Sequence, residues 1–399
     1  MRVDSKGLLH NRESQLAHLD FHYDAWLTLD FAPGSYHLVS GAVTSNPKRR
    51  PTRGEIFITL RERPHDSRLS GVYCAGFDCC VSEGARNRDQ SREGPLVNVV
   101  SIGEVLWDIV GHQEHLGGAT FNFTAHLSKL GHDVSFISAV GADQRGQRIL
   151  ENMQQLGLST RYVRVDPEHA TGSVTVTLDA AGQPSFVLHR PAAYDFPQLT
   201  ESQFETLMSH QTDWIYFGTL HQISPDAKAL TARLLERIPG ARRFYDVNLR
   251  MDSYTPSLVR ELMSRATVVK LNDTEVTQIC QMFGRPCDSV EEFCRSYAKT
   301  FGWEAVCVTC GAKGCVLLIG DQYCEANGYR IDVADTVGAG DAFAAAFVHG
   351  MGNGWPVAQI ADFANRVGAL VASRPGALPP WTVEEAKALK TKTCRLESA

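Results

Sequence analysis

Asp341 follows the run Asp335-Thr336-Val337-Gly338-Ala339-Gly340 and opens the apolar stretch Ala342 to Gly350. Glycines that run straight into a helix let backbone N–H groups approach a ligand closely. The first helical turn adds unpaired donors and the positive end of the helix dipole, which together suit a phosphate. A carboxylate at the mouth of such a site can take a proton from an alcohol while the N–H groups hold the transferring phosphoryl group. The dipole is expected to keep Asp341 ionised at neutral pH. The bare pattern also has an ordinary reading, because Gly-x-Gly is common and Asp often caps a helix. Two other nucleotide motifs are excluded. The chain has no Gly-x4-Gly-Lys-Ser/Thr, and Phe343 stands where a dinucleotide fingerprint needs its third glycine.

Three further clusters precede this one. Gly117-Gly118-Ala119-Thr120-Phe121-Asn122 is followed by Leu130-Gly131 and by Val140-Gly141-Ala142-Asp143-Gln144-Arg145-Gly146. Asn272-Asp273-Thr274-Glu275 and Val308-Thr309-Cys310-Gly311-Ala312-Lys313-Gly314 come later. On bare sequence, Asn272 and Glu275 are equally a helix N-cap with its capping-box partner. Together and in this order the four elements resemble those of the ribokinase-like (PfkB-type) carbohydrate kinases, over residues 97–380, about three quarters of the chain. Gly103 to Asp108, Ala193-Tyr194-Asp195 and Asp246-Val247-Asn248-Leu249-Arg250 most resemble fructokinase-like members.

The resemblance implies an α/β fold, a ribokinase-like three-layer α/β/α sandwich with a mostly parallel central sheet and a small β lid. It implies an ATP-dependent sugar kinase. Fructose phosphorylated at the 6-hydroxyl is the first choice, and ribose, 2-keto-3-deoxygluconate or a nucleoside are alternatives. A non-catalytic sugar sensor on the same fold would have lost Asp341 or the glycine turn, and both are present. Asp341 is then the catalytic base, with Gly338, Ala339 and Gly340 holding the developing charge. Asp108, Gly117, Gly118, Asn122 and, at the end of the lid hairpin, Arg190 are expected at the sugar. Asn272, Thr309, Gly311, Gly314, Gly338, Gly340, Asn365 and Gly376 are expected at the nucleotide. Glu275 is expected to serve Mg²⁺ through water, and Asp335 with the Val337 carbonyl a monovalent cation such as K⁺. Arg250 could pair with phosphate or with Asp246. One departure is Thr120, where proline is common in the family; threonine keeps the size but loses the fixed φ.

The elements that must position these residues are legible as periodic runs. Short apolar strands are expected at 97–102, 134–140, 214–217, 243–247, 267–271 and 305–309, alternating with helices near 120–131, 145–156 and 356–373. The helix after Asp341 is expected to stop at Gly350. Lid strands are expected near 104–117 and 172–190, the second pair as a hairpin turning at Asp179 to Gly182.

The kinase-like region is expected to span 96–399. Residues 1–95 match none of it. Pro47-Lys48-Arg49-Arg50-Pro51, a polar run over Ser82 to Glu93 and only patches such as Ile56 to Leu60 suggest a poorly ordered extension. The whole chain has 399 residues, 43% hydrophobic and 21% charged, with a net charge of −6, which gives no support for a nucleic-acid partner. No run reaches the roughly 18 apolar residues of a membrane span. The start lacks a secretory core, and 11 scattered cysteines fit free thiols in a reducing cytoplasm. Cys307-Val308-Thr309-Cys310 lacks a second pair at zinc spacing. The expected partners are a sugar and ATP, with a homodimer the one assembly allowed for.

Overall fold

Val, Ile, Phe and Tyr fill the central strands of residues 95–389 so completely that Trp214–Gly218 is buried at all five positions. Such a run needs cover on both faces, which parallel sheets obtain from their crossover helices. The computed structural model describes residues 95–178, 184–250 and 253–389. In residues 1–94 it describes the backbone of five short strands, Arg2–Val3, Leu8–His10, Leu16–His18, Trp26–Phe31 and Gly34–Val39. The first three pair in one small sheet and the last two in another. The chain divides into two compact units, Met1–Ser91 and Arg92–Ala399. The strand patch at 56–60, the polar run at 82–93 and the turn at 179–182 lie outside the described residues.

Within the second unit the strands are β1 (Asn98–Ile102), β2 (Leu106–Val110), β3 (Gln113–Gly117), β4 (Asp133–Gly141), β5 (Val163–Asp166), β6 (Ser173–Leu178) and β7 (Pro184–His189). They continue as β8 (Trp214–Gly218), β9 (Arg242–Asp246), β10 (Val268–Asn272), β11 (Ala305–Thr309), β12 (Gly314–Ile319) and β13 (Gln322–Asn327). Nine of them form the central sheet in the order β5-β4-β1-β8-β9-β10-β11-β12-β13. Every pairing up to β11 is parallel, and β12 and β13 close one edge antiparallel. The strand order changes direction at β1. In such sheets ligands bind where it does so, outside the carboxyl ends of the strands.

The helices are α1 (Ala119–Lys129), α2 (Gln144–Gln155), α3 (Glu201–Ser209), α4 (Pro225–Arg237), α5 (Pro256–Arg265), α6 (Asp273–Met282), α7 (Val290–Phe301), α8 (Ala339–Gly352), α9 (Val357–Ala372) and α10 (Val383–Ala388). Their starts are chemically marked. Asp143, Ser224, Thr255, Asn272 and Ser289 each accept a first-turn N–H on α2, α4, α5, α6 and α7. One core lies between the sheet and α4 to α7, including Phe217, Tyr245, Val269 and Phe293. A second lies between the sheet and α1, α8 and α9, including Phe123, Tyr216, Phe244 and Phe347. α8 does not stop at Gly350 but continues to Gly352. A Cβ on Gly350 would stand 2.9 Å from Ile360 of α9, so this glycine lets two helices approach rather than ending one.

The lid is a separate sheet in the order β7-β6-β2-β3. β6 pairs parallel with β2, and the outer pairs are antiparallel. Both expected lid segments therefore meet in one sheet, and Asp108 sits in its β2 strand opposite His115.

Candidate active site

α8 starts at Gly338, whose φ of 78° is left-handed and whose missing Cβ would lie 2.6 Å from the Ala377 carbonyl. Only glycine fits there. No side chain caps this helix, which leaves its positive end open toward the site. Of the three expected donors, Ala339 already gives its N–H to the Thr336 carbonyl at 3.3 Å.

Asp341 lies half-buried in the first turn of α8. Asn122, in the first turns of α1, donates its Nδ2 to Asp341 Oδ2 at 2.9 Å. The Asn122 Oδ1 is buried with no partner among the described residues. Such an atom suits a hydroxyl donor from a ligand. Burial pushes the Asp341 carboxyl up to about 7; Asp246 adds to this, while Lys270, Asn122 and Arg250 oppose it. The expectation of a carboxylate held firmly ionised by the dipole is thus corrected. Loss of water is the largest influence on the group, which is poised near neutrality, where a general base works best.

Beneath the glycine turn lies a charge that sequence reasoning missed. Lys270, at the centre of β10, is buried and reaches Asp246 of β9 with Nζ to Oδ1 at 3.0 Å and Oδ2 at 2.8 Å. Tyr216 donates its hydroxyl to the same carboxylate at 2.8 Å. Burial works against the Lys270 charge, but Asp246 outweighs it and holds the ammonium above its usual range. Its Nζ lies 3.6 Å from where a Cβ on Gly340 would stand, directly under the candidate phosphoryl site. The only signal was an Asp that closes one strand and a Lys in the middle of the next.

The loop after β9 is shaped by its neighbours. Asn248 has a φ of 37°, the one non-glycine positive φ among the described residues. Glu275 Oε1 accepts the Leu249 N–H at 2.7 Å, and its Oε2 accepts the Asn272 N–H at 2.8 Å. Asn272 Oδ1 accepts the Glu275 N–H in return, completing a capping box. Both Glu275 oxygens are therefore engaged by backbone N–H groups. The loop so held carries Arg250, which is exposed and does not pair with Asp246. Its charge lowers the carboxyls of both Asp108 and Asp341.

On the lid side, a Cβ on Gly117 would stand 2.5 Å from Asp108 Oδ2, so the glycine makes room for the carboxylate. Gly118 has a φ of 110° and backs onto the Glu104 carbonyl. Burial raises the Asp108 carboxyl, His115 and Arg250 lower it, and Asp335 raises it. The departure at Thr120 finds a reason here. Its N–H and Oγ1 donate to the buried Glu104 carboxylate at 3.4 and 3.3 Å, and proline could do neither.

Arg190, expected at the sugar, has its guanidinium engaged by neighbouring protein groups. Its Nε donates to Asp195 Oδ2 at 3.1 Å, its second terminal nitrogen bonds Asp195 Oδ1, and the first reaches the Leu220 carbonyl at 3.1 Å. The guanidinium fork is spent on fixing the chain beyond the lid. Asn365 also has structural duties, since its Nδ2 donates to the Ala326 and Asn327 carbonyls at 3.3 and 3.4 Å.

On the nucleotide side, Thr309 pairs in register with Asn272, so both lie at adjoining strand ends. Gly311 and Gly314 turn the chain into β12 with φ of 54° and 108°. Asp335 accepts the Val337 N–H at 3.0 Å and the Gly376 N–H at 3.1 Å, drawing the two loops together. His126 of α1 holds the same region. Trp381 Nε1 donates to its Nδ1 at 3.1 Å, and its Nε2 therefore donates to the Ala377 carbonyl at 3.0 Å. Burial pushes this histidine down to about 4, so it stays neutral and keeps that tautomer.

A mostly parallel α/β sheet with a second four-stranded sheet, an open helix N-terminus and a neutral-range carboxylate in its first turn are the arrangement of a small-molecule kinase. The chain belongs to the pfkB family of carbohydrate kinases, whose profile matches residues 98–383, and it is a sugar phosphotransferase. It is 26% identical over 307 residues to fructokinase-2 of Zea mays, covering 70% of this chain and 90% of that one. It is 28% identical over 297 residues to aminoimidazole riboside kinase of Salmonella typhimurium, covering 69% and 89%. A fructokinase double mutant from Vibrio cholerae O395, solved with fructose, ADP and potassium ion bound, superposes with a TM-score of 0.64 at 23% identity, covering 75% of this chain and all of that one. Among the described residues no helix is long and apolar enough to cross a membrane, and no group of three metal-ligating side chains occurs.

Proposed function

We propose that this kinase transfers the γ-phosphate of ATP to the 6-hydroxyl of fructose, with Asp341 as the base. The observation that carries the reading is the Asp341 carboxylate, raised to about 7 and held by Asn122 in the open first turn of α8. Asp108 and the Asn122 amide orient the sugar between lid and sheet, so that one hydroxyl faces Asp341. As that oxygen attacks in line, Asp341 takes its proton. The Gly338 to Asp341 turn and the Lys270 ammonium beneath it hold the charge that develops on the phosphoryl group. Mg²⁺ arriving with ATP neutralises the phosphate oxygens, and Asn272 and Glu275 are suited to its outer shell. Asp335 and the Val337 carbonyl are where a potassium ion would be held; the fructokinase from Vibrio cholerae was solved with that ion and with fructose.

Pocket specificity rests on a few hydrogen bonds, and relatives of similar identity act on different sugars. A coupled assay with ATP against fructose, ribose, 2-keto-3-deoxygluconate and adenosine tests the reading. Fructose should show the highest kcat/KM. A faster alternative would remove fructose, and turnover of none of the four would remove the whole panel of proposed substrates.

Two results follow from the site. Asp108→Ala should raise the sugar KM by the loss of a charge-assisted hydrogen bond, worth roughly 1.5–3 kcal/mol, and leave the ATP KM nearly unchanged. An effect confined to ATP would reverse the placing of sugar and nucleotide. The pH profile of kcat should rise about tenfold per unit below neutrality and level off above it, because the ionised form of Asp341 is the active one. A flat profile between pH 5 and 8, with chemistry rate-limiting, would count against Asp341 as base.

A further inference from the structure

The lid strands β2 and β3 have two faces of different character. Residues opposite one another share a face, so Asp108 and His115 look toward the site. Trp107, Ile109, Glu114 and Leu116 lie on the other face, and it packs on α2. Trp107 is buried against Ile149 and Met153 of that helix.

A charged cluster closes this contact. Arg145 donates Nε and a terminal nitrogen to Glu114 Oε1 at 2.9 and 2.6 Å. Arg148, one turn on, bonds Glu114 Oε2. The Arg148 guanidinium also lies 4.1 Å from the centre of the Trp107 ring, and Trp107 Nε1 donates to the Arg145 carbonyl at 3.2 Å. Glu114 thus takes two guanidinium groups from one helix, and Trp107, the residue before Asp108, is clasped by the same two arginines. The outer lid carries no comparable tie among the described residues, and Val110 and Val187 are exposed there.

We propose that Glu114, Arg145 and Arg148 form a latch that fixes the root of the lid on α2 and so sets the position of Asp108 over the sugar. They are positioning residues: none faces the pocket, and each acts through Trp107 and the β2–β3 pair. The proposal rests on the reading of Asp108 as a sugar ligand. With the latch opened, the root strand gains freedom, and ordering it is charged against sugar binding. The bound ternary complex still reaches the same geometry, so the sugar KM rises while kcat holds.

The test uses the full chain and the sugar of the panel that it turns over. Arg148→Ala and Glu114→Gln should each raise the sugar KM about three- to tenfold, the range open to a partly exposed ion pair with a cation–π contact. The kcat and the ATP KM should stay within about twofold. Arg148→Lys keeps the charge but loses the planar stack, and should fall between wild type and Arg148→Ala. The double variant should raise KM by less than the product of the two single effects, since both open one latch. If Arg148→Ala does not fold, Glu114→Gln and Arg148→Lys carry the same comparison. An unchanged sugar KM in the folded variants overturns the latch, as does a parallel loss in kcat and both KM values. Asp108→Ala in the same assay separates the two layers. If it raises the sugar KM and the latch variants do not, the latch alone falls; if it leaves the sugar KM unchanged, both fall.

Discussion

Asp341→Asn should lower kcat by about 10²–10⁴, the usual worth of a general base, while the protein stays folded. Asparagine keeps the shape and the hydrogen bond to Asn122 but cannot take the proton from the attacking hydroxyl. A variant that retained more than about a tenth of wild-type kcat would sink the assignment, because no positioning role is lost in this change. The same substitution should raise the melting temperature at pH 8. A carboxyl whose folded pKa is raised to about 7 favours the native state most below its unfolded pKa, and that contribution is lost as pH rises through 7. Removing the charge removes the loss. The gain should shrink as pH falls toward 4, where the wild-type group is itself neutral.

Lys270→Met should be the most destabilising single change in the site. Lys270 and Asp246 are 9% and 2% exposed at their side chains and bonded through both carboxylate oxygens. Methionine fills the volume but leaves the Asp246 carboxylate with the Tyr216 hydroxyl alone, and breaking a buried pair in this way costs about 3–5 kcal/mol. Urea unfolding would measure it. Lys270→Met with Asp246→Leu should recover much of that stability, since no buried charge remains, yet it should not recover kcat, because the ammonium under Gly340 is gone. A double variant with restored turnover would show that Lys270 supports the fold only and adds nothing to the phosphoryl site.

Much of this site was legible because its chemistry is local in sequence. The glycine turn and Asp341 are consecutive, and the capping-box partners of α6, Asn272 and Glu275, sit one helical turn apart. For that pair the capping-box reading is the one the geometry displays. Residues whose partners are set by the fold are harder to read. Arg190 reads as a basic group at the end of a lid hairpin, and nothing in its neighbourhood reveals that Asp195 and the Leu220 carbonyl consume it. Asn365 is taken up in the same way by the end of β13. Lys270 and Asp246 lie on different strands, and only the parallel pairing of β9 with β10 sets them side by side.

By itself, then, the sequence determined the alternation of strands and helices and singled out the glycine turn and the residue we propose as the base. These follow from periodicity and from turn chemistry, which act over a few residues. The tertiary structure decided what those groups experience. It half-buried Asp341 near Asp246 and so moved its proton affinity toward neutrality. It set Lys270 beneath Gly340 and the proposed phosphoryl site, gave Thr120 a carboxylate to hold, and turned Glu114 toward two arginines of α2. Desolvation and charge pairing depend on which atoms surround a group, and it is the sheet order and the lid, more than the local run of residues, that bring those atoms together.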